Sequence, residues 1–312
     1  VQMHIAYSGT FHGAAIYAGG PDDCAQGSVL TAVTTCLGNA PPVDVHALTS
    51  TVRNWEKQGL IDPLTNLAGQ PVYLWSGLLD AVVRQPLMNA LSVQYRALGA
   101  DVFRFDDHFP AAHGWESPYG PASCGEQKTP YMISCAQGSE NHKAATQINA
   151  PPYDSEQVWL SRWLGTLHPK NDGALNGSVL PFDQRAFSPG EDAARISLDK
   201  TGYVYVPKEC AAGAVCGLMM ALHGCNQSHS VVGMSFILDA GIDQWADTNR
   251  LIVLYPQTIA SSLTGGNPQG CWNWWGYLGD QNYATRNGAQ MKALYRMVLQ
   301  AESRPRRTKR DP

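Results

Sequence analysis

Two stretches, "GLMMALHG" (217–224) and "RLIVLYPQ" (250–257), limit the possible folds more than any other part of the chain. Each is an almost unbroken apolar run of strand length, and such strands need apolar cover on both faces, as in a parallel sheet flanked by helices. Between them "GMSFILDAGIDQWADTN" (233–249) has the spacing of a helical crossover. The first half repeats the arrangement. "PVYLWSG" (71–77) and "DVFRFDD" (101–107) flank the helical pattern "QPLMNALSVQYRALG" (85–99), and "AAIYAGG" (14–20) supplies a third strand. "VQMHIAYS" at the start, "SEQVWLSRWLGTL" (155–167) and "NGAQMKALYRMVLQ" (287–300) read as further helices. "ARISLDKTGYVYVP" (194–207) alternates around Asp-Lys-Thr-Gly and predicts a hairpin.

Three strands in the first half and about four in the second make poor sheets apart and one good sheet together. The expected fold is therefore α/β, a mostly parallel central sheet covered by helices. One domain is expected over residues 1–300, its halves 1–170 and 194–300 joined by a turn-rich linker at 171–193. The end, "SRPRRTKRDP", lacks an apolar period, so 301–312 is expected to be a disordered basic tail.

At 312 residues and 44% hydrophobic, the chain can bury a substantial core. A net charge of −4 supplies no global basic field for nucleic acid or anionic lipid. No run approaches the roughly 18 apolar residues of a membrane-spanning helix. Neither nucleic acid nor membrane is expected as a partner, and a monomer is expected.

The eight cysteines include three close pairs, Cys24 with Cys36, Cys124 with Cys135 and Cys210 with Cys216, which leaves Cys225 and Cys271. Short spacings across Gly- and Pro-containing loops, without Cys-x-x-Cys or clustered histidine, suit disulfides better than metal. Four disulfides in an oxidising, extracellular compartment are expected, with no metal and no cofactor.

His-Gly after the apolar run at 217–222 is how many serine esterases open the loop that stabilises an oxyanion. Yet no Gly-x-Ser-x-Gly, the usual nucleophile turn, occurs anywhere. Asp80 follows the strand at 71–77, and His113 follows the strand at 101–107 by a few residues. That is the acid-then-base order of an α/β-hydrolase, at the strand ends where open α/β sheets place their chemistry. His108 is a rival base in an exposed-looking loop. Asp106 and Asp107 precede the histidine too closely to reach it from a separate strand. Ser8, Ser76 and Ser235 lack the flanking glycines of a nucleophile turn. His223 reads as a residue shaping its loop, because oxyanion donors are usually backbone N–H groups.

The oxyanion strand follows the acid and the base by about 110 residues, reversing the usual order. Moving 194–300 ahead of residue 1 restores that order and leaves one element wanting before Val1, the strand and turn of the nucleophile.

The segments "AIYAGGPDDCA" (15–25), "VYLWSGLLDAVV" (72–83), "AAHGW" (111–115), "TGYVYVP" (201–207), "ALHGCNQS" (221–228), "WADTNRLIVLYPQ" (245–257) and "NPQGCWNWWGY" (267–277) together resemble the extracellular poly(3-hydroxybutyrate) depolymerases. The resemblance is to the esterase type, in its circularly permuted, single-domain, fungal form, and covers 1 to about 300. It implies an α/β-hydrolase-like fold and hydrolysis of a poly(3-hydroxybutyrate) polyester, with Asp80 as triad acid and His113 as general base. It implies the Cys225 N–H as one oxyanion donor, a Cys225–Cys271 bond, and polymer contact by Trp272. The aromatic loop also offers Trp274 as a binding surface. The family's nucleophile matches nothing in this sequence, so the chain by itself is expected to be inactive or nearly so. A non-catalytic polyester-binding protein, or a feruloyl or acetyl esterase of the same fold, are the alternatives.

Overall fold

The structure, a computed structural model, describes residues 1–139, 150–260 and 267–303. The first half runs α1 (Gln2–Ala6), β1 (Ala14–Tyr17), α2 (Val29–Thr31), α3 (Val45–Lys57), β2 (Pro71–Trp75), α4 (Gln85–Ala97) and β3 (Asp101–Asp106). Strands β1, β2 and β3 pair in that order, all parallel. Helix α4 is the predicted crossover. It opens with Pro86 in its first turn, where a missing N–H costs nothing, and buries Leu87, Met88, Leu91 and Tyr95. Three short strands, β4 (Trp115–Glu116), β5 (Ala122–Ser123) and β6 (Met132–Ser134), form a small sheet in the order β4-β6-β5 beyond β3.

After α5 (Ser155–Leu164) come β7 (Ser178–Asp183), β8 (Thr201–Val206), α6 (Lys208–Ala211), β9 (Gly217–Met220), α7 (His229–Val232), α8 (Ser235–Asp239), α9 (Ile242–Asn249), β10 (Leu251–Tyr255) and α10 (Ala289–Glu302). Their sheet has the order β7-β8-β10-β9. Strands β9 and β10 are parallel, and β8 is antiparallel to both β10 and β7.

Five expectations need correction. The supposed linker 171–193 contains β7, an edge strand, the position in a sheet that tolerates a proline such as Pro181. Its turn residues dock onto α9: the Asp247 carboxylate accepts from the Asn171 side chain, the Asn176 amides and the Gly177 N–H. Residues 194–207 are not a hairpin. Ala193–Ile196 form a single turn of 3-10 helix, and β8 takes β7 as its antiparallel neighbour. The crossover at 233–249 is broken at Gly241, whose φ of +76° ends α8, and a Cβ there would lie 2.9 Å from Ser117 Oγ. Helix α10 runs through Glu302, so residues 301 and 302 expected in the tail are helical, and 304–312 lie outside the described residues.

The predicted single sheet is two hydrogen-bonded sheets, since no pairing joins β1 to β9 among the described residues. The cores nevertheless span both. On one face Ile16, Val72, Leu74 and Val102 share a cluster with Leu254, backed by Val204, Leu218 and Met220. On the other, Tyr73 and Trp75 share a cluster with Tyr205, Leu251, Val253 and Tyr255, backed by Ala15, Tyr17, Phe103 and Met219. Successive apolar residues of β1, β2, β8 and β9 alternate between the two clusters, as a period of two requires. The two sheets therefore form one layer with one core above and one below.

Candidate active site

The loop after β2 is laced to the loop after β3. Ser76 N–H donates to Asp106 O, Leu78 N–H to Phe109 O and Leu79 N–H to Ala111 O, each at 2.9 Å. Gly77 permits this approach, because a Cβ there would lie 2.1 Å from Ala111 O. The lacing carries Asp80 to His113. His113 Nδ1 donates to Asp80 Oδ2 at 2.9 Å, and Asp80 Oδ1 accepts the Val82 and Val83 N–H groups at 2.8 Å each. The Asp80 side chain is only 1% exposed, whereas His113 is 26% exposed. With Nδ1–H committed to the carboxylate, the lone pair lies on Nε2, and no described residue bonds to that atom. A base so oriented can take a proton from a hydroxyl set before it.

The second component is the loop 223–227 beyond β9. Gly224 N–H donates to Gln227 Oε1, Asn226 N–H to Gln269 O and Gln227 N–H to Gly224 O. The Cys225 N–H is the one backbone donor of 224–227 that no described residue accepts. The Cys225 side chain is tied to Cys271. The two loops are also joined to each other. Gln227 Nε2 donates to Pro130 O at 3.1 Å and Tyr131 O at 2.9 Å, the Tyr131 carbonyl also accepts Trp115 N–H, and the Tyr131 ring stands edge-on to His113, centroids 6.3 Å apart. Sequence reasoning singled out neither Tyr131 nor a role for Gln227. The only signal was the place of Gln227 in His-Gly-Cys-x-Gln.

No family model matches the chain. Among curated proteins it is 36% identical over 310 residues to the poly(3-hydroxybutyrate) depolymerase of Delftia acidovorans, covering 97% of this chain and 57% of that protein. It is 35% identical over 323 residues to the polyhydroxybutyrate depolymerase of Talaromyces funiculosus, covering 97% of this chain and 85% of that one. The chain belongs to the poly(3-hydroxybutyrate) depolymerase family. Solved structures agree. A PHB depolymerase variant complexed with an R3HB trimer superposes with a TM-score of 0.81, and PHB depolymerase from Penicillium funiculosum with 0.80. Each is 33% identical, over 96% of this chain and 90% of that one. The fold is α/β-hydrolase-like, and the chain spans little more than half the length of the bacterial relative.

Within this depolymerase-family chain, the rival residues are engaged elsewhere. His108 pairs with Asp107 and is 74% exposed. Asp106 accepts from Arg104 and from the hydroxyls of Tyr73 and Tyr153. Ser8 donates to Pro63 O, Ser76 is wholly buried, and no described serine bonds to His113. All four disulfides form: Cys24–Cys36, Cys124–Cys135, Cys210–Cys216 and Cys225–Cys271. Trp272 is half-buried and donates its indole N–H to His223 O at 2.9 Å. Trp274 packs edge-to-face on Trp275.

Proposed function

We propose that this chain is the greater part of a secreted serine esterase that hydrolyses poly(3-hydroxybutyrate)-type polyester. The observation that carries this reading is the Asp80–His113 hydrogen bond, which leaves Nε2 open on a loop joined through Tyr131 to the one bearing the unpaired Cys225 N–H. A serine hydroxyl attacks the ester carbonyl while His113 Nε2 takes its proton. Asp80 holds the ring and steadies the imidazolium, and the Cys225 N–H donates to the carbonyl oxygen as it becomes negative. His113 then passes the proton to the departing alkoxide. Water, deprotonated by His113, releases the acyl group and regenerates the serine.

The nucleophile in this reading belongs to a Gly-x-Ser-x-Gly turn that is not among these 312 residues. Its strand would pair with β1 and β9, whose residues already feed the same two cores. A polymer, rather than a small ester alone, is favoured by apolar side chains left exposed in the segments after β1 and β2: Val29 and Leu30 of α2, Val33, Leu78 and Leu79. Trp272 and Trp274 belong to the same rim, because the aromatic loop abuts the turn before α2, where a Cβ on Gly276 would lie 3.0 Å from Gly27 Cα. Four disulfides accord with secretion.

The test is turnover of p-nitrophenyl butyrate and clearing of a polyester film. The chain alone should stay near background. Adding the serine turn ahead of Val1 should raise turnover by as much as about a millionfold, the effect of a missing nucleophile in a comparable triad. Robust turnover by the 312-residue chain refutes the external nucleophile, and no turnover after completion refutes the esterase.

A further inference from the structure

His223 is buried, 2% exposed, one residue before the glycine of the oxyanion loop, and the reaction above gives it no task. Its hydrogen bonds allow one protonation state. Nε2 lies 3.2 Å from the Thr258 backbone N–H, which can only donate, so Nε2 must accept. The Thr258 hydroxyl proton is directed to Gly270 O. Nδ1 lies 2.7 Å from Gly224 O, which can only accept, so Nδ1 carries the proton. The ring is therefore a neutral Nδ1–H imidazole, and burial, which lowers its pKa to about 4, keeps it so. The Trp272 indole packs against it at a tilt, centroids 5.2 Å apart, and its N–H holds the His223 backbone carbonyl.

The Gly224 carbonyl and the Cys225 N–H belong to one peptide unit. In a trans peptide these two bonds lie in one plane and point in opposite directions. Whatever holds the carbonyl therefore aims the N–H. We propose that His223 is a positioning residue: by holding Gly224 O it fixes the plane of the Gly224–Cys225 peptide and directs the Cys225 N–H toward the oxyanion of the transition state. This rests on the esterase reading, and it explains why a bulky imidazole fills a site that an aliphatic side chain could fill without desolvating two nitrogens.

The experiment uses the full-length enzyme with its serine turn, and two substitutions that place an amide differently. The Asn amide in His223→Asn can occupy the position of Nδ1 and still donate to Gly224 O. The longer Gln in His223→Gln reaches the Nε2 position and leaves that carbonyl only the longer bond from Gln227 N–H, at 3.2 Å. Loss of a whole oxyanion donor lowers kcat by about a hundredfold to a thousandfold, so a misaimed one should cost roughly thirtyfold in His223→Gln. KM should stay within about twofold, and His223→Asn should recover to within about fivefold of the parent, because only transition-state binding is touched. A folded His223→Gln with unchanged kcat overturns the proposal, as does an equal loss in both variants, which marks a merely structural role. If neither variant folds, nitrogen NMR of the parent decides: an Nε2–H tautomer at pH 7 overturns it and an Nδ1–H tautomer upholds it. An inactive parent enzyme would instead sink the esterase reading, so the two failures are distinguishable.

Discussion

The two halves of the site sit at the carboxyl ends of parallel strands, yet they are built on opposite plans. After β2 and β3 the chemistry is in side chains, held by the Asp80–His113 hydrogen bond and two N–H groups on Asp80. After β9 it is in a backbone N–H, and the side chains nearby, His223 and Gln227, serve to hold backbone in place. Their supports also differ in charge. Beside the His113 loop lie Glu116 and Glu156, both wholly buried, with Trp115 Nε1 donating to Glu156 Oε1. Burial pushes both carboxyls well above the ordinary range, and for Glu156 the neighbouring Glu116 adds to it. Beneath the oxyanion loop lies a histidine pushed down. A side chain that does chemistry has to be a particular residue, whereas a backbone donor can be lent by almost any residue that is properly held.

The sharpest way to break this contrast is Asp80→Asn in the completed enzyme. It should lower kcat by about ten thousandfold while the fold stays intact, since the amide imposes the wrong imidazole tautomer. A loss of only tenfold would mean that Asp80 is no more than a brace, and the contrast would vanish. Next is the disulfide behind the oxyanion loop. Cys225 and Cys271 are 46 residues apart, so replacing both by Ser should cost about 4 kcal/mol by loop-closure entropy, against about 2 kcal/mol for the 6-residue Cys210–Cys216 loop. Urea unfolding of the two double variants compares them directly, and equal losses would show that the longer link does not restrain its loop.

A pH series sharpens the comparison further. His223 binds fewer protons folded than unfolded, so its contribution is complete above about pH 6.5 and is lost as pH falls toward 4, on the order of 3 kcal/mol in all. The glutamates do the reverse. Their raised pKa values give stability that is present below the ordinary glutamate range and lost as pH rises above it. Hydrogen exchange should therefore show the amides of 223–227 loosening in acid and those of 115–117 loosening in alkali, with Glu116→Gln suppressing the second effect. Loosening of both segments at the same end of the pH range would contradict these assignments. The smallest effect on stability should come from the rim. Leu30→Ser with Leu79→Ser should shift unfolding by less than about 0.5 kcal/mol each and spare p-nitrophenyl butyrate turnover, yet weaken adsorption to a polyester film. Unchanged adsorption would remove the rim from the polymer reading.

How much could be read from the chain follows the same division. Asp80 and His113 were legible because each is a reactive residue shortly after a recognisable strand, and the fold brings them within hydrogen-bond reach. The Cys225 N–H was reachable only through resemblance, since nothing in its side chain announces a backbone role. Tyr131 and Gln227 escaped because their contacts reach across about 96 residues to backbone atoms, which leave no periodic trace. The segment 171–193 was misread for a related reason: Asn and Gly are as suited to gripping one carboxylate, Asp247, as to forming a free loop. The strands came out well because their alternation between two cores is written in the residues themselves.

That alternation has a mechanical consequence. Since the clusters above and below the layer each draw on both ends of the chain, neither end owns a hydrophobic interior. A protease cut in the exposed turn around Gly173 should yield two pieces that are insoluble when made alone and that recover native structure when refolded together.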